Sequence, residues 1–156
     1  VALSADLIIT ARQLAQLHER RPRQSDLRRA ISSAYYALFH GLAEASADRL
    51  IGATPTARQS TAWCRVYRDL SHNEAKKACR RTGQIGVSID LLVYASSFLA
   101  LQELRHQADY DPIVRYKHSF VVDRVNEAEQ ALSALLRVPK PELLDFITLA
   151  LGMTRS

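Results

Sequence analysis

The densest grouping of functional side chains is the stretch Leu104-Arg105-His106-Gln107-Ala108-Asp109-Tyr110-Asp111-Pro112. On a helix, Arg105 and Asp109 stand four residues apart and pair on one face. Tyr110 adds a hydroxyl beside them. In this arrangement Arg105 could hold a phosphate while Asp109 orients it. The same residues could instead tie down a helix end, with Arg105 held by Asp109 or Asp111. A second pair, Tyr36 and His40, has the same spacing, with Ser32 one turn earlier. It offers an imidazole beside a hydroxyl, which is also how a buried histidine is satisfied. Cys64, His72 and Cys79 are metal-ligand types, but their spacing fits no usual zinc pattern and a fourth ligand is not evident. No metal and no cofactor are expected. The chain has no phosphate-cradling Gly-Lys-Ser/Thr loop, no H-E-x-x-H and no Gly-x-Ser-x-Gly elbow. The Gly83 to Gly86 spacing matches a G-x-x-G nucleic-acid clamp, but that clamp belongs to a mixed α/β fold.

The elements that must position these residues are helices. Apolar spacing is helical almost throughout, and no strand-period alternation is long enough to build a sheet. The first predicted helix runs from about Ser4 to Arg21, with Leu7, Ala11, Leu14 and Leu17 on one face, and Pro22 ends it. The second starts behind Ser25 as N-cap and continues to about Leu50. Thr54-Pro55 or Thr56 opens a third, carrying Trp63, Val66, Tyr67 and Leu70. Ser71-His72-Asn73-Glu74 fits a capping box, so a new helix starts there and ends near Thr82-Gly83.

Ser88 caps a helix reaching about Ala108. It is apolar nearly all round from Leu91 to Leu101 and is therefore expected at the bundle centre, with Tyr94 and Phe98 in the core. Lys117 to Arg137 form another helix, with Val121, Val125, Ala128, Leu132 and Leu135 inward. Glu142 to Leu151 form the last. These readings predict an all-α, compact bundle of about five to six helices, forming a single domain over residues 1–156.

The second helix is committed on several faces. Ala30, Ser33, Ala34, Ala37 and Gly41 form a stripe of small side chains that permits close helix approach. Tyr35, Phe39 and Leu42 form a bulky face, and Tyr36 and His40 lie on a third. Such a helix must be surrounded by others.

Net charge is +5 and unevenly spread. Residues 12–29 hold six arginines and two acids, residues 58–81 hold seven Lys or Arg and two acids, and residues 103–129 hold six acids and four bases. The basic excess in the N-terminal half suits phosphate backbones, although Arg-rich helix faces also serve as solvated surface. The longest near-apolar run, Ile89 to Leu101, is too short and too polar to span a membrane. Two cysteines in a chain large enough to fold without a staple point to free thiols and a reducing cytoplasm. Leu3 to Ile9 is too short for a secretory leader and lacks a following cleavage site.

Two of these segments together resemble a known family. Arg28-Arg29-Ala30-Ile31-Ser32-Ser33-Ala34-Tyr35-Tyr36-Ala37-Leu38-Phe39-His40 looks like the second-helix signature of the HEPN (higher eukaryotes and prokaryotes nucleotide-binding) superfamily. Arg105-x-x-x-Asp109-Tyr110 resembles the motif closing the central helix in one prokaryotic branch. The resemblance implies a helical bundle that often forms homodimers. Many such domains are metal-independent ribonucleases, and many are toxins paired with a small nucleotidyltransferase antitoxin. Active members use an Arg, four to six residues, then a His, brought together across the dimer. This chain departs from that pattern. The window after Arg105 holds Tyr110, Asp111 and Pro112, His106 is adjacent to Arg105, and Arg115 and His118 are too close together.

The expectation is therefore a toxin-antitoxin-type module binding RNA or a nucleotide. Arg105, Asp109 and Tyr110 would be its site residues, and His40 or His106 would be the base if cleavage occurs. Arg28, Arg29 and Arg105 would contact the nucleic acid or nucleotide. By resemblance, Tyr110 would be the residue a partner nucleotidyltransferase modifies. The alternative is a non-catalytic interaction module for such a partner.

Overall fold

The computed structural model describes residues 2–18, 20–83 and 86–153. Among them the chain is all-helical, with eight helices and no strand. These are α1 (Leu3–Gln16), α2 (Gln24–Leu50), α3 (Pro55–Arg58), α4 (Thr61–Asp69), α5 (His72–Thr82), α6 (Ile89–Tyr110), α7 (His118–Arg137) and α8 (Lys140–Ala150).

The helix count exceeds the expected five to six, partly because the predicted third helix is two. Ser60 divides it. Its hydroxyl donates to the Ala57 carbonyl at 2.6 Å and accepts from the Trp63 amide at 3.1 Å, closing α3 and capping α4. Local side-chain bonding of this kind competes with a continuous helix. The first helix ends at Gln16 rather than near Arg21, because Leu17 is extended and His18 adopts a left-handed φ of 54°. Ser25 does not cap α2. Arg23 occupies that position, and its guanidinium holds buried Asp26 of the first turn at 2.9 Å. Ser71 and Ser88 do cap α5 and α6, accepting from the amides of Glu74 and Leu91. Glu44 secures the start of α1 by accepting from both the amide and the hydroxyl of Ser4.

Helix α2 is the central element and packs on α1, α4, α6, α7 and α8. Its small stripe sets the spacing: Ala30, Ala34, Ala37 and Gly41 are buried, Ser33 is half-buried, and a β-carbon at Gly41 would overlap Leu132 of α7. Tyr94 and Phe98 of α6 are fully buried, and the Tyr94 hydroxyl donates to the Leu38 carbonyl at 2.7 Å. That bond locks α6 to α2 at the level of the Tyr-Tyr-Ala-Leu-Phe-His string.

Helix α6 is not covered all round, contrary to expectation. Ile89, Leu92 and Val93 are 79%, 37% and 39% exposed. Since α2 takes the central place, α6 packs chiefly on α2, α5 and α7, with Tyr94 also against Phe146 of α8, and leaves one apolar face open. Of the expected inward set on α7, Val121, Val125, Ala128 and Leu135 are buried and Leu132 is half-buried. Cys64 is half-buried and Cys79 buried, both as thiols. Among the described residues no helix is long and apolar enough to cross a membrane. The Gly83 to Gly86 segment includes residues outside those described.

Candidate functional site

Three helices bring polar and aromatic groups to one place: the middle of α2, the start of α5 and the last third of α6. Arg105 of α6 is its cation. Its guanidinium lies 5.2 Å from the Tyr35 ring centroid and 5.6 Å from that of Tyr36, so two aromatic faces carry it. The expected pair with Asp109 forms, but at 3.4 Å, and the contact with the Tyr36 hydroxyl is 3.5 Å. Both are long for charge-assisted hydrogen bonds. The Arg105 Nε is buried without a partner. Asp109 makes its short bond elsewhere, accepting from the Ser32 hydroxyl of α2 at 2.7 Å.

Histidine 72, the first residue of α5, completes the cluster. Its Nδ1 is 2.6 Å from the Tyr35 hydroxyl, which also accepts from the Gln102 amide of α6 at 3.2 Å. Its ring stacks on Phe39 at 3.9 Å and meets Tyr36 edge-on at 5.9 Å. His40 also lies against Tyr36, with ring centroids 6.4 Å apart. The His40 Nδ1 is 2.5 Å from the Tyr67 hydroxyl, and Tyr67 stacks on Trp63 of α4.

Burial lowers the pKa of His72 below the ordinary imidazole value, helped by the nearby charge of Arg105 and by His40. Burial lowers that of His40 too, against an opposing pull from Glu44. Burial raises the Tyr35 and Tyr67 phenols to about 12. At neutral pH the cluster therefore presents neutral imidazoles and protonated phenols around a guanidinium with spare donors. That combination can accept an anion, and its ring faces can stack a base.

Other expected residues lie elsewhere. Arg28 is spent on the backbone: Nη1 donates to the Ala108 and Asp111 carbonyls, both at 2.7 Å, and Nη2 to Val114 at 2.6 Å. Arg29 is exposed on α2. Tyr110 is 69% exposed and is not beside Arg105; it faces His106, at a ring distance of 5.0 Å. Among the described residues no three His, Cys, Asp or Glu converge as metal ligands, and Cys64, His72 and Cys79 form no such group. A cavity of about 560 Å³ between α1, α2 and α7 contains none of the Arg105 cluster.

Sequence spacing finds Arg105, Asp109, Tyr36 and His40. It misses Tyr35, Tyr67, Gln102 and the part played by His72. The capping box placed His72 at a helix start, but only packing of α5 on α6 brings it to Tyr35. Comparison of the chain with protein-family models, with curated proteins and with solved structures gives no match in any of the three.

Proposed function

We propose that the chain is a HEPN-like, toxin-antitoxin-type module of the cytoplasm that binds RNA or a nucleotide at the Arg105 cluster. The observation that carries this is the state of Arg105 itself. It rests on two aromatic rings, its bonds within the protein are long, and its Nε is unpartnered. A phosphate would supply the short bonds that the Nη groups lack, since Nη1 makes only contacts of 3.4 and 3.5 Å. Exposed bases on α4 and α5, including Arg65, Arg68, Lys77, Arg80 and Arg81, give these two helices a positive surface. Titrating a short single-stranded RNA into wild type and Arg105→Ala tests the reading. Wild type should bind with an affinity that falls steeply with salt, and the variant should bind at least about tenfold more weakly. Equal affinities would sink it.

The module acts as a homodimer in this reading. The open face of α6, where Ile89, Leu92 and Val93 border a shallow cavity of about 360 Å³ against α7, supports self-association. Leu92→Asp should turn a dimer into a monomer in sedimentation; a wild-type monomer would remove the dimer.

The second reading is a non-catalytic module for a small nucleotidyltransferase. It is favoured by the exposed Tyr110 at the end of α6, accessible to a modifying partner, and by the unmet Arg-x4-6-His spacing. Here Arg105→Ala would leave nucleic-acid affinity alone, while Tyr110→Phe would abolish modification by a co-expressed nucleotidyltransferase.

A further inference from the structure

We infer that the trough between α1, α2, α4 and α7 binds a small aliphatic amine, with Glu44 receiving its ammonium group. Two adjoining cavities make up the trough, one of about 560 Å³ between α1, α2 and α7 and one of about 300 Å³ bordered by α4. Ala2, Glu44, Asp48 and Arg58 line both, so the two run into one another. Each volume is of the size that small-molecule sites have. The space exists because small side chains line it: Ala5 of α1, Gly41 and Ala45 of α2 and Ser133 of α7.

The walls select an apolar body. Ile8, Ile9, Leu132, Leu135 and Leu136 line the larger cavity, and Ile9 and Leu136 are exposed to water. Leu3, Trp63 and Tyr67 line the smaller one, the two rings stacked 5.2 Å apart. Large apolar side chains left in water gain most from an apolar ligand, because it removes their surface from solvent.

The polar groups select a positive head. Among the described residues, Glu44, Asp48 and Glu129 line the trough against one guanidinium, that of Arg58, in a chain whose net charge is +5. Two of these carboxylates are already paired. Asp48 accepts from Arg58 at 2.7 and 3.0 Å and from the Trp63 indole N–H at 3.0 Å, and Glu129 lies 3.3 Å from Arg12. Glu44 is different. It accepts only from the amide and hydroxyl of Ser4, which are neutral donors, and it belongs to none of the ion pairs among the described residues. It is half-buried and lines both cavities, so the fold leaves it a charge without a counter-ion beside apolar walls. An ammonium would complete it, bringing three donors, and the Trp63 and Tyr67 rings of the same cavity add faces that attract a cation.

The site is independent of the RNA-binding reading, since Glu44 and the larger cavity lie outside the Arg105 cluster, and either can fail alone. The test is calorimetric titration of the whole chain with octylamine, octanol and octanoate, which share a body and differ in the head group. Octylamine should bind best, octanol at least about tenfold more weakly, and octanoate not measurably. A net positive chain draws anions in general, so a preference for the cation is the signature of this site. Ser133→Phe fills the larger cavity from an exposed position and leaves Glu44 and Ser4 untouched. It should abolish octylamine binding with the thermal melt unchanged. Glu44→Gln keeps an acceptor for Ser4 without the charge, and octylamine should bind it no better than octanol binds wild type. Octanol or octanoate binding wild type as tightly as octylamine would overturn the inference, because apolar walls alone would then be at work. So would octylamine binding Ser133→Phe as it binds wild type. A wild type that binds no octylamine also overturns it; if that wild type sediments as a dimer that Ser133→Phe splits, the occupant is a second copy of the chain.

Discussion

Arg28 and Arg105 both lie between α2 and the end of α6, yet their donors are used in opposite ways. Arg28 reaches from α2 and gives three bonds of 2.6 to 2.7 Å to the carbonyls of Ala108, Asp111 and Val114, stapling the turn that leads into α7. Arg105 reaches back from α6 and makes contacts of 3.4 and 3.5 Å, with Nε unpartnered. The first guanidinium satisfies backbone groups at a helix end, which otherwise need partners. The second is held chiefly by ring faces, which fix its position without consuming its donors. Where an arginine spends its hydrogen bonds thus separates a structural cation from one available to a ligand.

The largest effect that would sharpen this contrast is expected at the staple. Arg28→Ala leaves three carbonyls short of a charged donor and should cost about 3 kcal/mol. At this chain length that lowers Tm by roughly 6–12 °C in a thermal melt. Arg28→Lys should recover only part of it, because an ammonium lacks the planar fork that reaches all three. A melt of Arg28→Ala that overlays wild type would end the structural assignment.

A smaller, pH-dependent effect belongs to the Arg105 side. Burial lowers the folded-state pKa values of His40 and His72, so below the ordinary value of 6.5 the unfolded chain binds more protons than the folded one. Their contribution to stability is therefore complete above that pH and is lost as pH falls through it toward the folded-state values. Denaturant melts across this window should show stability falling on acidification. His72→Asn should flatten that slope, whereas Arg28→Ala should lower the curve at every pH without changing its slope. Smaller still is Ser32→Ala, which removes the bond to Asp109 and should cost about 1 kcal/mol or less.

Much of this contrast is readable in the sequence, and the unread part has a physical cause. Helix existence, the Ser71 and Ser88 caps and the buried small stripe of α2 follow from local patterns, and the structure carries all of them. The i,i+4 pairing of Arg105 with Asp109 is likewise local. The roles of the two arginines are not local. Arg28 sits in the family-like string among nucleic-acid candidates, and only its meeting with carbonyls some eighty residues away shows how its donors are used. His72 appears in the sequence as a lone histidine after a cap, and the α5–α6 contact turns it into a neighbour of Tyr35 and Arg105. The open face of α6 is illegible for the same reason, since its apolar run does not say which side another helix will leave uncovered.

One paired measurement on Arg105→Ala tests whether Arg105 is placed for a ligand or for the fold. The ion pair being replaced is long and partly exposed, so its loss should cost at most about 1 kcal/mol, a Tm change within roughly 2–4 °C. The same sample should bind short single-stranded RNA at least about tenfold more weakly than wild type. A large fall in Tm with RNA affinity unchanged would make Arg105 a second staple and not a ligand-binding group.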